Sequence, residues 1–128
     1  MPFVDARLAA DPSAEITSRT IQALTDLTVR VLGKERPRTT VAVGFLPRSQ
    51  WRRGGSPGGF FVEARITDGT NSSSEKARYV REVHDAMAAI LGVSGYVAVN
   101  ELDADSWGHG GETQAVRYSR SDAEAAAA

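Results

Sequence analysis

An internal repeat limits what this chain can fold into more than any other feature of it. Pro2-Phe3-Val4-Asp5-Ala6-Arg7-Leu8 returns as Phe60-Phe61-Val62-Glu63-Ala64-Arg65-Ile66, and after the first position each change keeps charge or bulk. Val41-Ala42-Val43-Gly44-Phe45-Leu46 returns as Val97-Ala98-Val99-Asn100-Glu101-Leu102. At the same distance beyond each comes a tryptophan and a glycine pair: Trp51 with Gly54 and Gly55, then Trp107 with Gly110 and Gly111. A pattern of that length does not arise twice by chance, so the chain is a tandem duplication. The copies are placed at 2–55 and 60–111 of a single domain spanning 1–128. Arg52–Gly59 is the linker between them, and the stretch from 119 to 128 is expected to fray.

Each copy reads as strand, helix, strand. Val4, Ala6 and Leu8 alternate with Phe3, Asp5 and Arg7, the period of a strand with one apolar face. Asp11 or the Pro12-Ser13 pair suits the opening of a first helix, and Gly33 suits its end. Ile16, Ile21, Leu24, Leu27 and Val31 step at helical spacing between them. In the second copy the cap falls near 71–74, the apolar stripe is Val80, Val83, Met87, Ile90 and Leu91, and Gly92 closes it. Parallel strands need a crossover, which the helix provides with the usual right hand. Two βαβ units side by side predict an α/β (α+β) fold: a four-stranded sheet with both helices on one face. The other face then carries Phe3, Asp5, Arg7, Phe61, Glu63 and Arg65. It is too mixed for free exposure, and an oligomer built on it is expected.

The formal charge of −1 over 128 residues creates no general field for nucleic acid or an anionic membrane. There is no cysteine, which removes disulfides and thiolate chemistry. No apolar run is long enough for a bilayer, and the start MPFVDARLAADP has no apolar core of the kind a secretion signal needs. A cytoplasmic protein is expected. The histidines, His84 and His109, are too far apart to form a metal motif, and no cofactor is expected.

A short βαβ unit that begins Met-Pro and closes in a W-x-x-G-G hairpin resembles 4-oxalocrotonate tautomerase. Two of them in one chain resemble the fused branch of that superfamily, which includes cis-3-chloroacrylic acid dehalogenase and malonate semialdehyde decarboxylase. The likeness runs over Pro2–Gly111 and is carried by Pro2, the 102–111 segment and the repeat. It implies a tautomerase-like fold, a homotrimer of fused chains and a small carbonyl or carboxylate substrate. The chemistry of Pro2 also follows from the residue itself. Once Met1 is removed, proline presents a secondary amine, whose ammonium form is disfavoured by burial or by a nearby cation. A neutral amine can take a proton from the carbon beside a carbonyl and return it elsewhere, which is tautomerisation. Phe60 holds the matching place in the second copy and has no amine.

The resemblance also shows where this chain departs from its pattern. The helix-opening arginine of the single-unit enzyme falls on Pro12 and on Thr70 or Asn71. Its second-strand arginine falls on Thr40 and Tyr96. The dehalogenase histidine falls on Thr28, the two arginines of that branch near Thr67 and Thr70, and the decarboxylase aspartate near Arg38. Hydrolytic dehalogenation and that style of decarboxylation are not expected. Arginine's planar fork suits a carboxylate, and Arg48, Arg52 and Arg53 flank Trp51 on the first hairpin. The expected site is therefore Pro2 as base, with Trp51, Arg48, Arg52, Arg53, Trp107 and His109 binding substrate. The expected function is keto-enol isomerisation of an enol or α-keto acid. The alternative is a trimeric small-ligand or partner binder with little turnover.

Overall fold

The computed structural model describes residues 1–127; Ala128, the last of the expected tail, lies outside the described residues. The strand-helix-strand pattern is present in each copy. The first comprises β1 (Phe3–Ala9), α1 (Ala14–Leu32) and β2 (Thr40–Leu46), followed by the short hairpin β3 (Arg52–Arg53) and β4 (Ser56–Pro57). The second comprises β5 (Phe60–Thr67), α2 (Ser73–Leu91) and β6 (Tyr96–Leu102), followed by the hairpin β7 (Gly108–His109) and β8 (Glu112–Thr113). The four long strands form one sheet in the order β2-β1-β5-β6. Within a copy the pairing is parallel. Between copies β1 and β5 run antiparallel, with Phe3 opposite Arg65, Asp5 opposite Glu63 and Arg7 opposite Phe61. The repeats are thus related by an approximate twofold axis passing between Asp5 and Glu63.

Both helices are set by their ends. The Ser13 hydroxyl accepts from the Ile16 amide at 3.1 Å, and Gly33 closes α1 in the left-handed region at φ 68°. Ser72 and Glu75 form a reciprocal capping box on α2, and Gly92 ends it at φ 74°. A cap of this kind contributes about 1 kcal/mol. The core lies between these helices and the inward face of the sheet, where Val4, Ala6, Leu8, Val62, Ala64 and Ile66 are fully enclosed beneath Leu24, Leu27, Val31, Val83 and Met87.

Two of the expected core positions are displaced by one residue. Ile21 and Val80 remain 40% and 37% exposed, while Thr20 and Tyr79, one step earlier, face the sheet. Hydrophobicity pointed to the wrong side because the inward residues carry hydroxyls; that of Tyr79 finds a partner inside, while that of Thr20 is buried without one. The Tyr79 hydroxyl meets the Thr28 hydroxyl at 2.8 Å, and Thr28 in turn donates to the Leu24 carbonyl at 2.7 Å. Burial pushes the Tyr79 phenol up to about 12, partly opposed by its Thr28 bond. Thr28 is therefore engaged within the core.

Where the tail is expected, a third helix, α3, runs from Gln114 to Ala127. Its first amides are tied to the second hairpin, Gln114 N–H to the Trp107 carbonyl and Ala115 N–H to the Ala104 carbonyl, each at 2.9 Å. Alanine is the strongest helix former, so a run of it that resembles a tail extends the helix once these bonds have started one.

Candidate active site

Pro2 lies at one end of the inner strand β1, just before its first residue, and is buried. A hollow of about 270 Å³ opens beside it, lined by Met1, Pro2, Phe3, Thr40, Arg65, Trp107, Gly108 and His109. Its walls come from both copies. The first supplies the chain end and Thr40 at the start of β2. The second supplies Arg65 from β5 and the residues of the β7 turn. Trp107 is fixed by its indole N–H, which donates to the Thr67 hydroxyl at 3.1 Å. Gly108 is required there: a Cβ on it would lie 1.7 Å from the Glu112 carbonyl oxygen, inside the hairpin backbone.

The surroundings of the amino terminus are hostile to positive charge. Burial is the main cause that holds the Met1 amine below its ordinary value, joined by the charges of Lys34, Arg117 and Arg38 and opposed by Glu35. Lys34 is itself held below the usual lysine range by burial, and its ammonium donates to the Thr70 hydroxyl at 2.9 Å. Thr67 and Thr70 thus hold Trp107 and Lys34 in place. The fully enclosed Gln114, the first residue of α3, directs its side-chain amide to the Met1 sulfur at 3.5 Å.

Among the residues singled out from the sequence, the structure brings Pro2, Trp107 and His109 together. It does not bring Trp51, Arg48, Arg52 or Arg53 to the same chain's Pro2. Trp51 and Arg53 line a second hollow of about 140 Å³ around Phe60, which also takes in Tyr96 and Gly95. Because β1 and β5 are antiparallel, that hollow lies at the opposite end of the pair, six residues along, or about 20 Å from Pro2. Sequence reasoning assigned Arg65 to the oligomer face and gave Lys34, Arg117 and Gln114 no part. The antiparallel register explains Arg65: it places that residue opposite Phe3, with the guanidinium 5.7 Å from the phenyl centre. Arg65 also lies 2.6 Å from Glu63, close enough for an ion pair, although the contact lacks hydrogen-bond geometry and that carboxylate oxygen has no hydrogen-bond partner.

No described helix is long and apolar enough to cross a membrane. No curated protein matches the chain. The tautomerase enzyme family model matches residues 61–117, the second copy with the start of α3. Among solved structures, a fused 4-OT determined as an asymmetric trimer superposes with a TM-score of 0.78 at 21% identity, covering 90% of this chain and 98% of that one. A fused 4-OT determined as a symmetric trimer gives 0.82 at 14%, with the same coverages. FG41 malonate semialdehyde decarboxylase inhibited by 3-bromopropiolate gives 0.76 at 20%, covering 91% and 96%. The tautomerase enzyme family thus matches the second copy, and the whole chain has the fold of the fused 4-OT proteins.

Proposed function

We propose that the mature chain begins at Pro2 and that its secondary amine is the general base of a tautomerase acting on an enol or α-keto acid. The observation that carries this reading is the setting of the chain end: Pro2 is buried beside a hollow, and the Met1 amine next to it is held below its ordinary value by burial and by nearby cations. A neutral amine there takes a proton from one end of the enol–ketone system and delivers it to the other. Lys34, Arg38 and Arg117, whose charges reach the Met1 amine, also favour an acid substrate, and Trp107 and His109 close the far wall. Trp51, Arg48, Arg52 and Arg53 would reach such a substrate only from a neighbouring chain. Ketonisation of phenylpyruvate is the direct assay.

The amine's environment sets the sign of the pH dependence. A base whose conjugate acid is disfavoured is free at lower pH, so kcat/KM is expected to climb through the folded-state value and stay level above it. Removing one of the cations relieves the ammonium and raises that value. In Lys34→Met the rising limb therefore moves to higher pH, with activity lost chiefly at the acid end. A limb that stays in place, or moves down, would contradict the assignment.

A trimer of this chain is proposed on two grounds: the uncovered sheet face, with Phe3 and Phe61 among charged neighbours, and the trimers formed by the solved fused 4-OT proteins. Light scattering at micromolar concentration should then return close to three times the 13.7 kDa chain mass; a monomer would rule the assembly out. One observation favours a binder with little turnover: Thr40 lines the Pro2 hollow at a position where the single-unit enzyme carries an arginine. Absence of phenylpyruvate turnover by correctly processed protein would select that reading.

A further inference from the structure

The approximate twofold axis makes the hollow around Phe60 the counterpart of the one around Pro2. Phe60 stands for Pro2, Tyr96 for Thr40, Trp51 for Trp107 and Arg53 for His109. Both substitutions at the chemical positions run one way: the base becomes an inert ring, and an imidazole becomes a permanent cation. Glycines keep the space open. A Cβ on Gly95 would come within 2.4 Å of the Phe60 carbonyl oxygen, and one on Gly59 within 2.5 Å of the Trp51 indole nitrogen. Positive charge surrounds it without compensation: among the described residues no carboxylate lies within 4.0 Å of Arg48, Arg52 or Arg53. Arg53 is held by a bond from its Nε to the Tyr96 hydroxyl at 3.3 Å, and Arg52 by bonds to the carbonyls of Arg48 and Trp51. The Arg48 guanidinium faces Gly58 at the rim.

We propose that this second hollow is a binding site, without catalysis, for a small flat monocarboxylate. The carboxylate pairs with Arg53, supported by Arg48, and the flat body lies along the Trp51 indole. At about 140 Å³ the space admits a single ring with one small substituent, well below the size of an ordinary drug-sized pocket. No group in it can move a proton from carbon, so the ligand leaves unchanged. The site stands whether or not Pro2 turns a substrate over.

The experiment is a titration with benzoate. The chain has two tryptophans, so Trp107→Phe leaves Trp51 as the single indole reporter. Saturable quenching by benzoate is expected, with no response to benzyl alcohol, the uncharged analogue of similar shape. Arg53→Gln should weaken benzoate roughly ten- to a hundredfold, as loss of a charge-assisted bond does, and Arg48→Gln should weaken it less. Pro2→Ala on the same background should leave the curve in place, whereas a fault in the Pro2 assignment appears only in turnover and labelling. The proposal is overturned if benzoate gives no saturable response, if benzyl alcohol binds equally, or if Arg53→Gln leaves affinity unaltered. It is equally overturned if Arg53→Gln changes the mass of the assembly, because the arginines would then be holding a neighbouring chain.

Discussion

Replacing Pro2 with alanine is expected to lower kcat/KM for phenylpyruvate by about 10²- to 10⁴-fold, the range a positioned general base contributes. Alanine can still present a terminal amine, but a primary one without the ring that fixes the nitrogen at the mouth of the hollow. Secondary structure and assembly mass should be unaltered, since Pro2 precedes β1 and supports no helix. The same site should be labelled by 3-bromopyruvate in wild-type protein and not after the substitution. Intact-mass analysis provides the sharpest test. A chain that keeps Met1 has an acylated proline nitrogen, which is neither base nor nucleophile, and the amine mechanism would end there.

Phe60→Ala should be the most damaging single truncation for stability, costing about 3–5 kcal/mol. Phe60 is fully enclosed and joins the large buried residues of the core. Its ring packs against His84 of α2, with centroids 5.5 Å apart, and its carbonyl lies under Gly95. Truncation leaves a void that the two adjoining glycines cannot fill by rotating a side chain. A fall in melting temperature of roughly 10 °C or more follows for a domain of this size. Thermal unfolding followed by circular dichroism measures it; a loss under about 1 kcal/mol would mean that the hollow is already slack.

The sequence made the repeat, the strand faces and the helix ends readable, because each depends on local chemistry. Val4, Ala6 and Leu8 alternate as a half-buried strand must. Ser13, Ser72, Gly33 and Gly92 sit where helix termini need them. What stayed hidden depended on partners distant in the chain. Nothing near Tyr79 announces that Thr28, fifty-one residues earlier, will accept its hydroxyl inside the core. The antiparallel meeting of β1 and β5 is equally silent in either strand alone, yet it places Arg65 beside Pro2 and carries the Trp51 hairpin to the other end. The cations around the Met1 amine belong to the same class: Lys34 follows the cap of α1, and Arg117 lies on α3, whose later part reads as a loose tail. Trp107 and His109 were legible because the repeat marks their hairpin.

The antiparallel joining of the copies also fixes when the Pro2 site comes into being. More than one hundred residues of chain separate Pro2 from its Trp107 wall. A loop of that length must close before the amine has any enclosure, and contacts so remote in sequence form late in folding. Until then the Met1–Pro2 bond is an ordinary exposed peptide end. Afterwards Pro2 is buried and Met1 rests against Gln114. For the proposed removal of Met1, a peptidase therefore has its best access to that bond before α3 docks.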